Sequence, residues 1–118
     1  MTPSKLILVR GASGSGKSTY ARSLGIPDHF EADMWFHRGG TYAYDPTMLP
    51  EAHGWCLDQA TKAMEAGRDV VVANTFTRLW EMATYKEVAE RLGITVEEVT
   101  MTGTYQNVHG VPEDRVRN

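Results

Sequence analysis

Residues 11–19 read GASGSGKST, and this short stretch determines how the rest of the chain must be arranged. Gly11, Gly16, Lys17 and Ser18 fit the pattern of a glycine, four residues, and then glycine, lysine and serine or threonine. The apolar run KLILVR comes immediately before it, and the helix-forming sequence SGKSTYARSLG overlaps its end. A strand, a glycine-rich turn and a helix in that order are typical of a loop that binds phosphate groups.

Each residue type in the motif suits a nucleotide polyphosphate. Glycine permits positive φ and lets backbone N–H groups approach phosphate oxygens, while the following helix directs the positive end of its dipole toward them. Lys17 is expected to reach the β- and γ-phosphates, and the hydroxyl of Ser18 to hold a magnesium ion that bridges them. The predicted cofactors are therefore ATP and Mg²⁺. The residues expected to bind the nucleotide are Gly11, Ala12, Ser13, Gly14, Ser15, Gly16, Lys17, Ser18 and Thr19.

The rest of the chain alternates predicted strands with predicted helices. The predicted strands are KLILVR (5–10), HFEAD (29–33), DVVVAN (69–74) and ITVEEVTMTG (94–103). Helices are predicted after the phosphate motif and over residues 49–67 and 79–92, with a loop over residues 39–50 in which Asp45 and Pro46 form a helix cap. This order predicts a three-layer α/β sandwich, in which helices flank a parallel sheet of about four strands.

The composition limits the class of protein. A chain of 118 residues is large enough for one domain with its own core, and we expect residues 1–118 to form a single domain. Its one cysteine, Cys56, cannot form an intrachain disulfide, and no apolar run is long enough for a signal peptide or a membrane span. We therefore expect a cytoplasmic protein with no membrane partner. A net charge of −3 argues against a protein that coats nucleic acid through bulk electrostatics.

The charges are distributed unevenly along the chain. Residues 1–24 contain four basic and no acidic residues, whereas residues 25–58 contain six acidic residues against one arginine. This distribution favours a polyphosphate site beside a carboxylate-bearing site, although charges that only solvate the surface would explain it equally well. The four histidines show no spacing typical of metal ligands.

A phosphate-binding loop alone does not separate a kinase from an ATPase or a switch protein. Asp33 is the leading candidate for the second half of the site, because ligands of open parallel sheets lie beyond the carboxyl ends of the strands. A carboxylate there can accept the proton of a hydroxyl as its oxygen attacks the γ-phosphorus. Trp35, Phe36, Tyr42 and Tyr44 follow closely, and they either stack on the bases of an acceptor or anchor a long loop onto the core.

Taken together, the segments GASGSGKST, EAD, YDP, EAHGWC, VVVANTFTRLWEMATY and NVHGVP resemble the small P-loop kinases that include the polynucleotide 5′-hydroxyl kinases. The most similar branch is the ATP-binding domain of the NEDD4-binding protein 2 group, with its phage and bacterial relatives. The resemblance implies that Asp33 activates the acceptor hydroxyl and that Lys17 and Ser18 hold the phosphates and magnesium. It also implies that Asn74 and Thr75 position the acceptor, and Trp35 is a further candidate for acceptor binding.

The chain departs from that resemblance in two ways. Related kinases often have an acid where this chain has Ala73, which leaves Asp33 as the only nearby acid that the sequence places there. Either Asp33 serves magnesium as well as the acceptor, or phosphoryl transfer is slow. Residues 103–118 resemble the start of a lid over ATP that ends early, with Arg115 as its catalytic candidate and Arg117 beside it. His109 lies in this lid segment, where it either contacts adenine or phosphate or makes no contact with the nucleotide.

Three hypotheses follow from the sequence. The first is a kinase that transfers the γ-phosphate of ATP to a hydroxyl, with a 5′-hydroxyl of a nucleic acid end or a nucleotide as the acceptor. The second is a nucleotide-binding module that works by interaction and has little or no catalytic activity, which Ala73 and the short lid favour. The third is a hydrolytic ATPase. The sequence leaves the acceptor, the choice between ATP and GTP, and the oligomeric state open.

Overall fold

The computed structural model of the protein describes residues 4–12, 14–40, 42–76 and 79–101. The strands are β1 (Lys5–Arg10), β2 (Asp28–Phe30), β3 (Val70–Asn74) and β4 (Thr95–Thr100). The helices are α1 (Lys17–Ser23), α2 (Leu49–Glu65) and α3 (Leu79–Leu92), with 3-10 helices over Ala32–Gly40 and Pro46–Met48. The predictions for Ser13, His109, Arg115 and the lid of residues 103–118 lie outside the described residues.

The four strands form one parallel sheet in the order β2-β3-β1-β4. The inner strands β1 and β3 consist almost entirely of buried apolar residues, because helices cover both of their faces. Their register pairs Leu6 with Val70 and Arg10 with Asn74. In a parallel sheet all carboxyl ends lie at the same edge, so the segments that follow β1, β2 and β3 emerge next to one another.

Alternate residues of the inner strands face two separate cores. Leu6, Leu8, Val70 and Val72 pack with α2 and α3 on one side, whereas the residues between them pack with α1 on the other. Each fully buried aliphatic side chain contributes about 1.5–3 kcal/mol relative to an exposed one. The predicted three-layer α/β sandwich with a four-stranded parallel sheet is therefore confirmed. No helix within residues 4–101, as far as they are described, is long and apolar enough to cross a membrane.

The second strand ends earlier than the sequence predicts. Its last residue is Phe30, and Asp33 lies in the first turn of the following 3-10 helix. The cause is a long-range hydrogen bond, because the backbone N–H of Ala32 donates to Asn74 Oδ1 at 2.8 Å and so leaves the strand ladder. The chain therefore turns at Glu31 and carries Asp33 away from the sheet.

The predicted loop of residues 39–50 is partly helical. The first 3-10 helix continues to Gly40, and a second one spans Pro46–Met48 before α2 begins. Asp45 caps this second helix, since its Oδ1 accepts hydrogen bonds from the backbone N–H of Thr47 at 3.0 Å and from its hydroxyl at 2.7 Å. The predicted cap at Asp45 and Pro46 is confirmed.

Candidate nucleotide-binding site

The loop between β1 and α1 adopts a conformation that only glycine accommodates easily. Gly14 and Gly16 have φ values of +81° and +89°, in the left-handed region. Gly11 has an ordinary φ but no space for a side chain, because a Cβ there would lie 2.5 Å from Ser15 Oγ and 3.1 Å from the backbone oxygen of Met101. The loop is therefore a close-fitting turn that a methyl group at residue 11 would disturb.

Helix α1 begins with Lys17 and Ser18, directly after this turn. Lys17 Nζ lies 3.4 Å from the carbonyl oxygen of Ala12, so the ammonium group is held over the loop. Ser15 is 3% exposed, and its hydroxyl has no hydrogen-bond partner among the residues that the structure describes. An ammonium group held over a glycine turn at the start of a helix fits a loop that accepts phosphate oxygens.

Glu31 is the carboxylate that contacts the phosphate-binding motif. The hydroxyl of Ser18 donates to Glu31 Oε1 at 2.8 Å, and His29 Nε2 donates to Glu31 Oε2 at 2.7 Å. Burial by itself raises the pKa of Glu31, but the hydrogen bonds from His29 and Ser18 and the charges of His29 and Lys17 outweigh it and lower the pKa below 4.5. Glu31 is therefore ionised at neutral pH and lies against the end of the site where magnesium is expected.

The inference that Asp33 is the only acid near the phosphates is therefore wrong. The sequence itself carries a signal for Glu31. His29 and Glu31 are two residues apart at the end of a strand, so their side chains leave the same face of the sheet and can pair. The segment EAD supplies two carboxylates, and its first one turns toward Ser18.

Asp33 has different partners. Tyr42 donates its hydroxyl to Asp33 Oδ1 at 2.9 Å, and His37 Nε2 lies 3.5 Å from Asp33 Oδ2. The hydrogen bond from Tyr42 raises the pKa of that tyrosine, because loss of the phenolic proton would place two negative charges together. The side chain of Asp33 is about half exposed, so an acceptor can approach it from solvent.

A single cavity of about 1150 Å³ joins the phosphate motif to these acids. Lys17, Ser18, Glu31 and Asp33 all line it. The cavity then continues between α2 and α3. Its aromatic lining consists of Phe36, Tyr42, Tyr44, Phe76, Trp80 and Tyr85. The geometry thus brings a phosphate-binding loop and two carboxylates to one cleft with an aromatic wall.

Asn74 and Thr75 line the same cavity but differ in what their side chains do. Asn74 is 5% exposed, and besides accepting from Ala32 it donates Nδ2 to Cys56 Sγ at 3.7 Å. Both ends of this amide are engaged within the fold, so Asn74 holds the Glu31–Asp33 segment against β3. Thr75 is exposed and remains accessible to a ligand.

Trp35 is not among the residues that line the cavity. It is half buried against the core, and its ring meets the ring of Phe36 edge-on at 5.2 Å. The structure instead lines the cleft with Tyr42 and Tyr44, whose rings are nearly parallel at 6.5 Å, and with Trp80, which the sequence analysis did not single out. Trp35 serves as the anchor of the 3-10 helix, which was the other interpretation of these aromatics.

The residues present fit a magnesium ion that is held mainly by phosphates. Within the described part of the chain there is no group of three or more histidine, cysteine or acidic side chains that could hold a metal by itself. The hydroxyl of Ser18, which Glu31 holds at 2.8 Å, is the kind of oxygen ligand that Mg²⁺ prefers, and Mg²⁺ commonly takes its remaining ligands from phosphates and water. Ala73, fully buried at the end of β3, adds no oxygen ligand.

Comparison with known proteins agrees with this geometry. A family model described as an AAA domain matches residues 6–103. Human NEDD4-binding protein 2 is 29% identical over 125 residues, and the alignment covers 94% of this chain but 7% of that protein. The chain thus spans a small part of the length of that relative.

Two solved structures share the fold at low sequence identity. The structure of the Pnkp1/Rnl/Hen1 complex matches with a TM-score of 0.68 and 16% identity over 99% of this chain and 43% of that one. The Mycobacterium tuberculosis APS kinase CysC in complex with AMPPNP and APS matches with a TM-score of 0.65 and 22% identity over 91% of this chain and 67% of that one. These are similarities of fold, and they agree with the α/β architecture described above.

Proposed function

Since the chain belongs to the AAA domain family whose model matches residues 6–103, we propose that it is an ATP-dependent kinase that transfers the γ-phosphate to a 5′-hydroxyl of a polynucleotide or nucleotide. One observation carries the proposal: Lys17, Ser18 and Asp33 line a single cavity, so a nucleotide on the loop and a hydroxyl beside Asp33 would share one cleft. Such proximity is what phosphoryl transfer needs most, because its catalysis is largely positioning and electrostatic stabilisation.

On the nucleotide side, the loop N–H groups and Lys17 hold the β- and γ-phosphates. Ser18, whose hydroxyl donates to Glu31, would hold the magnesium ion that accompanies those phosphates. Magnesium, when bound, neutralises the negative charge that develops on the phosphate oxygens. Lys17 supplies a second positive charge at the same place, and its approach to the Ala12 carbonyl shows that its side chain reaches back over the loop.

On the acceptor side, Asp33 acts as the general base. One oxygen accepts the proton of the acceptor hydroxyl while the acceptor oxygen forms a bond to the γ-phosphorus. The bond between the γ-phosphorus and the bridging oxygen breaks, and ADP leaves with that oxygen. Tyr42 holds Asp33 Oδ1 at 2.9 Å and so orients the carboxylate, while Thr75 lies exposed on the same cavity wall where it can bond an acceptor.

A nucleic acid end or a nucleotide is the acceptor class that the cleft supports best. Bases stack favourably on aromatic side chains, at about 1–3 kcal/mol per base. Tyr42, Tyr44 and Trp80 are exposed by about half or more and line the cavity, so they are accessible to a base. The sequence resemblance to the polynucleotide 5′-hydroxyl kinases favours the same class, and the Pnkp1/Rnl/Hen1 RNA repair complex shares the fold.

The test is transfer of label from γ-labelled ATP to a single-stranded oligonucleotide with a 5′-hydroxyl. We expect labelled product from the unaltered protein, loss of product in Asp33→Asn, and loss of ATP binding in Lys17→Ala. Asp58→Asn is the matched control, since Asp58 is an exposed carboxylate on α2 that pairs with Lys62 outside the cavity. The proposal fails if the protein binds ATP yet labels none of a panel of oligonucleotides, nucleosides and nucleotides.

A second function, a nucleotide-binding module without useful catalysis, has one observation in its favour. Ala73 adds no carboxylate at the end of β3, and the amide of Asn74 is already used inside the fold. Such a module would bind ATP in a Lys17-dependent way and transfer no label. The same assay separates a hydrolytic ATPase, which would release labelled phosphate at a rate independent of any acceptor.

A further inference from the structure

We propose that Glu31, rather than Asp33, is the carboxylate that orients the hydroxyl of Ser18 toward magnesium, and that His29 holds Glu31 in position. The inference rests on the proposed function only in assuming that the loop binds ATP with magnesium. From the sequence, Asp33 was the one candidate both for the magnesium site and for activation of the acceptor. In the structure these two tasks fall to two different acids. Glu31 and His29 are positioning residues, because they act through the hydroxyl of Ser18.

The hydrogen bonds separate the two carboxylates. Glu31 Oε1 accepts from Ser18 at 2.8 Å, next to the lysine of the phosphate motif. Asp33 Oδ1 accepts from Tyr42 at 2.9 Å, on the aromatic side of the cleft. One acid therefore faces the nucleotide and the other faces the place expected for the acceptor. Two acids with separate partners can act on the two substrates at the same time.

The sheet explains how a carboxylate reaches Ser18 from β2. The register pairs Phe30 with Val72, and the next residues along the two strands are Glu31 and Ala73. Because the side chain of Ala73 is only a methyl group, it leaves space beside it at the end of the sheet for the longer side chain of Glu31. The hydrogen bond from the Ala32 N–H to Asn74 holds the backbone in place directly after Glu31.

His29 holds the other oxygen of Glu31. Its Nε2 lies 2.7 Å from Glu31 Oε2, and the two side chains are only 12% and 13% exposed. A carboxylate this buried must be hydrogen-bonded to remain ionised, and here each oxygen has one donor. With both oxygens engaged, the carboxylate is held in one orientation toward Ser18.

The direction of the Ser18 hydrogen bond leaves the hydroxyl oxygen available to a cation. A hydroxyl has one proton and two lone pairs. When Ser18 donates its proton to Glu31, both lone pairs remain available to a cation, and the negative charge of Glu31 favours a cation there. Partners that orient a metal ligand in this way typically change metal affinity by about 10–100-fold when they are removed.

The experiment measures the binding of a fluorescent ATP analogue as a function of Mg²⁺ concentration, without any acceptor. We expect Glu31→Gln to weaken the apparent affinity for Mg²⁺ about tenfold or more, while binding of the analogue without Mg²⁺ is unchanged or tighter. Asp33→Asn is the matched control, because it makes the same chemical change two residues away. It should keep the Mg²⁺ dependence of the unaltered protein and lose only transfer of label.

His29 is tested by two substitutions. His29→Leu removes the donor to Glu31 Oε2 and should weaken the apparent Mg²⁺ affinity, whereas His29→Gln offers a donor again and should recover part of it. Electron paramagnetic resonance of Mn²⁺ in place of Mg²⁺ gives a second measure of metal affinity for each variant. Thermal unfolding of each variant identifies any that fail to fold, and the His29 pair then provides the test if Glu31→Gln is one of them.

The outcomes distinguish this inference from the proposed function. Unchanged Mg²⁺ dependence in folded Glu31→Gln, or an equal loss in Asp33→Asn, overturns the inference while kinase activity stands. If the unaltered protein does not bind the ATP analogue at all, the proposed function fails and this inference fails with it.

Discussion

The substitution Asn74→Ala should destabilise the protein and disturb the site together. In the native fold Asn74 Oδ1 accepts from the Ala32 N–H at 2.8 Å, and both residues are 5% exposed. Alanine leaves that N–H buried without a partner, which costs about 1–3 kcal/mol. Loss of the contact between Nδ2 and Cys56 Sγ and the small cavity left behind bring the expected total to about 2–4 kcal/mol.

This loss is large compared with the stability of a domain, about 5–15 kcal/mol. Urea denaturation followed by circular dichroism measures it as a lower midpoint at an unchanged slope. Thr75→Ala is the control, since Thr75 is the neighbouring but exposed residue, and its effect on stability should stay within about 0.5 kcal/mol.

The same substitution should also affect Mg²⁺-dependent ATP binding, because Asn74 holds the backbone between Glu31 and Asp33. A change in unfolding free energy below about 0.5 kcal/mol, with Mg²⁺ dependence intact, would show that water or a neighbouring group satisfies the Ala32 N–H and that Asn74 does not hold this segment. A stability loss without any change in Mg²⁺ dependence would separate the role of Asn74 in the fold from its role in the site.

Three further predictions concern separate parts of the domain. Gly11→Ala should cost about 1–3 kcal/mol in urea denaturation and weaken ATP binding, because its Cβ would lie 2.5 Å from Ser15 Oγ; unchanged stability would mean that the loop adjusts freely. Cys56 is fully buried, and burial raises the pKa of its thiol, so iodoacetamide should modify it only when urea unfolds the protein. Mass spectrometry detects the modification, and rapid labelling of the folded protein would contradict this prediction. The lowered pKa of Glu31 gives stability that is present above its ordinary value of 4.5 and is lost as pH falls through the folded pKa. Unfolding free energy measured between about pH 5 and pH 3 should therefore fall less steeply in Glu31→Gln than in the unaltered protein, and equal slopes would contradict the ionised pairing.

The parts of the fold that the sequence predicts are those set by local patterns. β1 and β3 stand out because strands covered on both faces are continuous apolar runs, and the phosphate motif specifies the turn and helix after β1. The cap at Asp45 is also local, since its partner Thr47 is two residues away. Such features need no knowledge of distant segments.

The features that the sequence analysis missed depend on contacts between distant segments. Asp33 leaves the strand because Ala32 bonds Asn74, which is 42 residues away in the chain. Trp35 packs on the core while Trp80 lines the cavity, and no local pattern distinguishes these two tryptophans. Glu31 was the exception, because its pairing with His29 follows from the two-residue repeat of a strand.

Single-turnover transfer of the γ-phosphate by Asp33→Asn tests whether one cleft holds both ATP and an acceptor that Asp33 activates. With ATP saturating and protein in excess over a 5′-hydroxyl oligonucleotide, we expect a transfer rate lower by about 100-fold or more and an ATP dissociation constant like that of the unaltered protein. Transfer by Asp33→Asn at the rate of the unaltered protein would contradict this expectation.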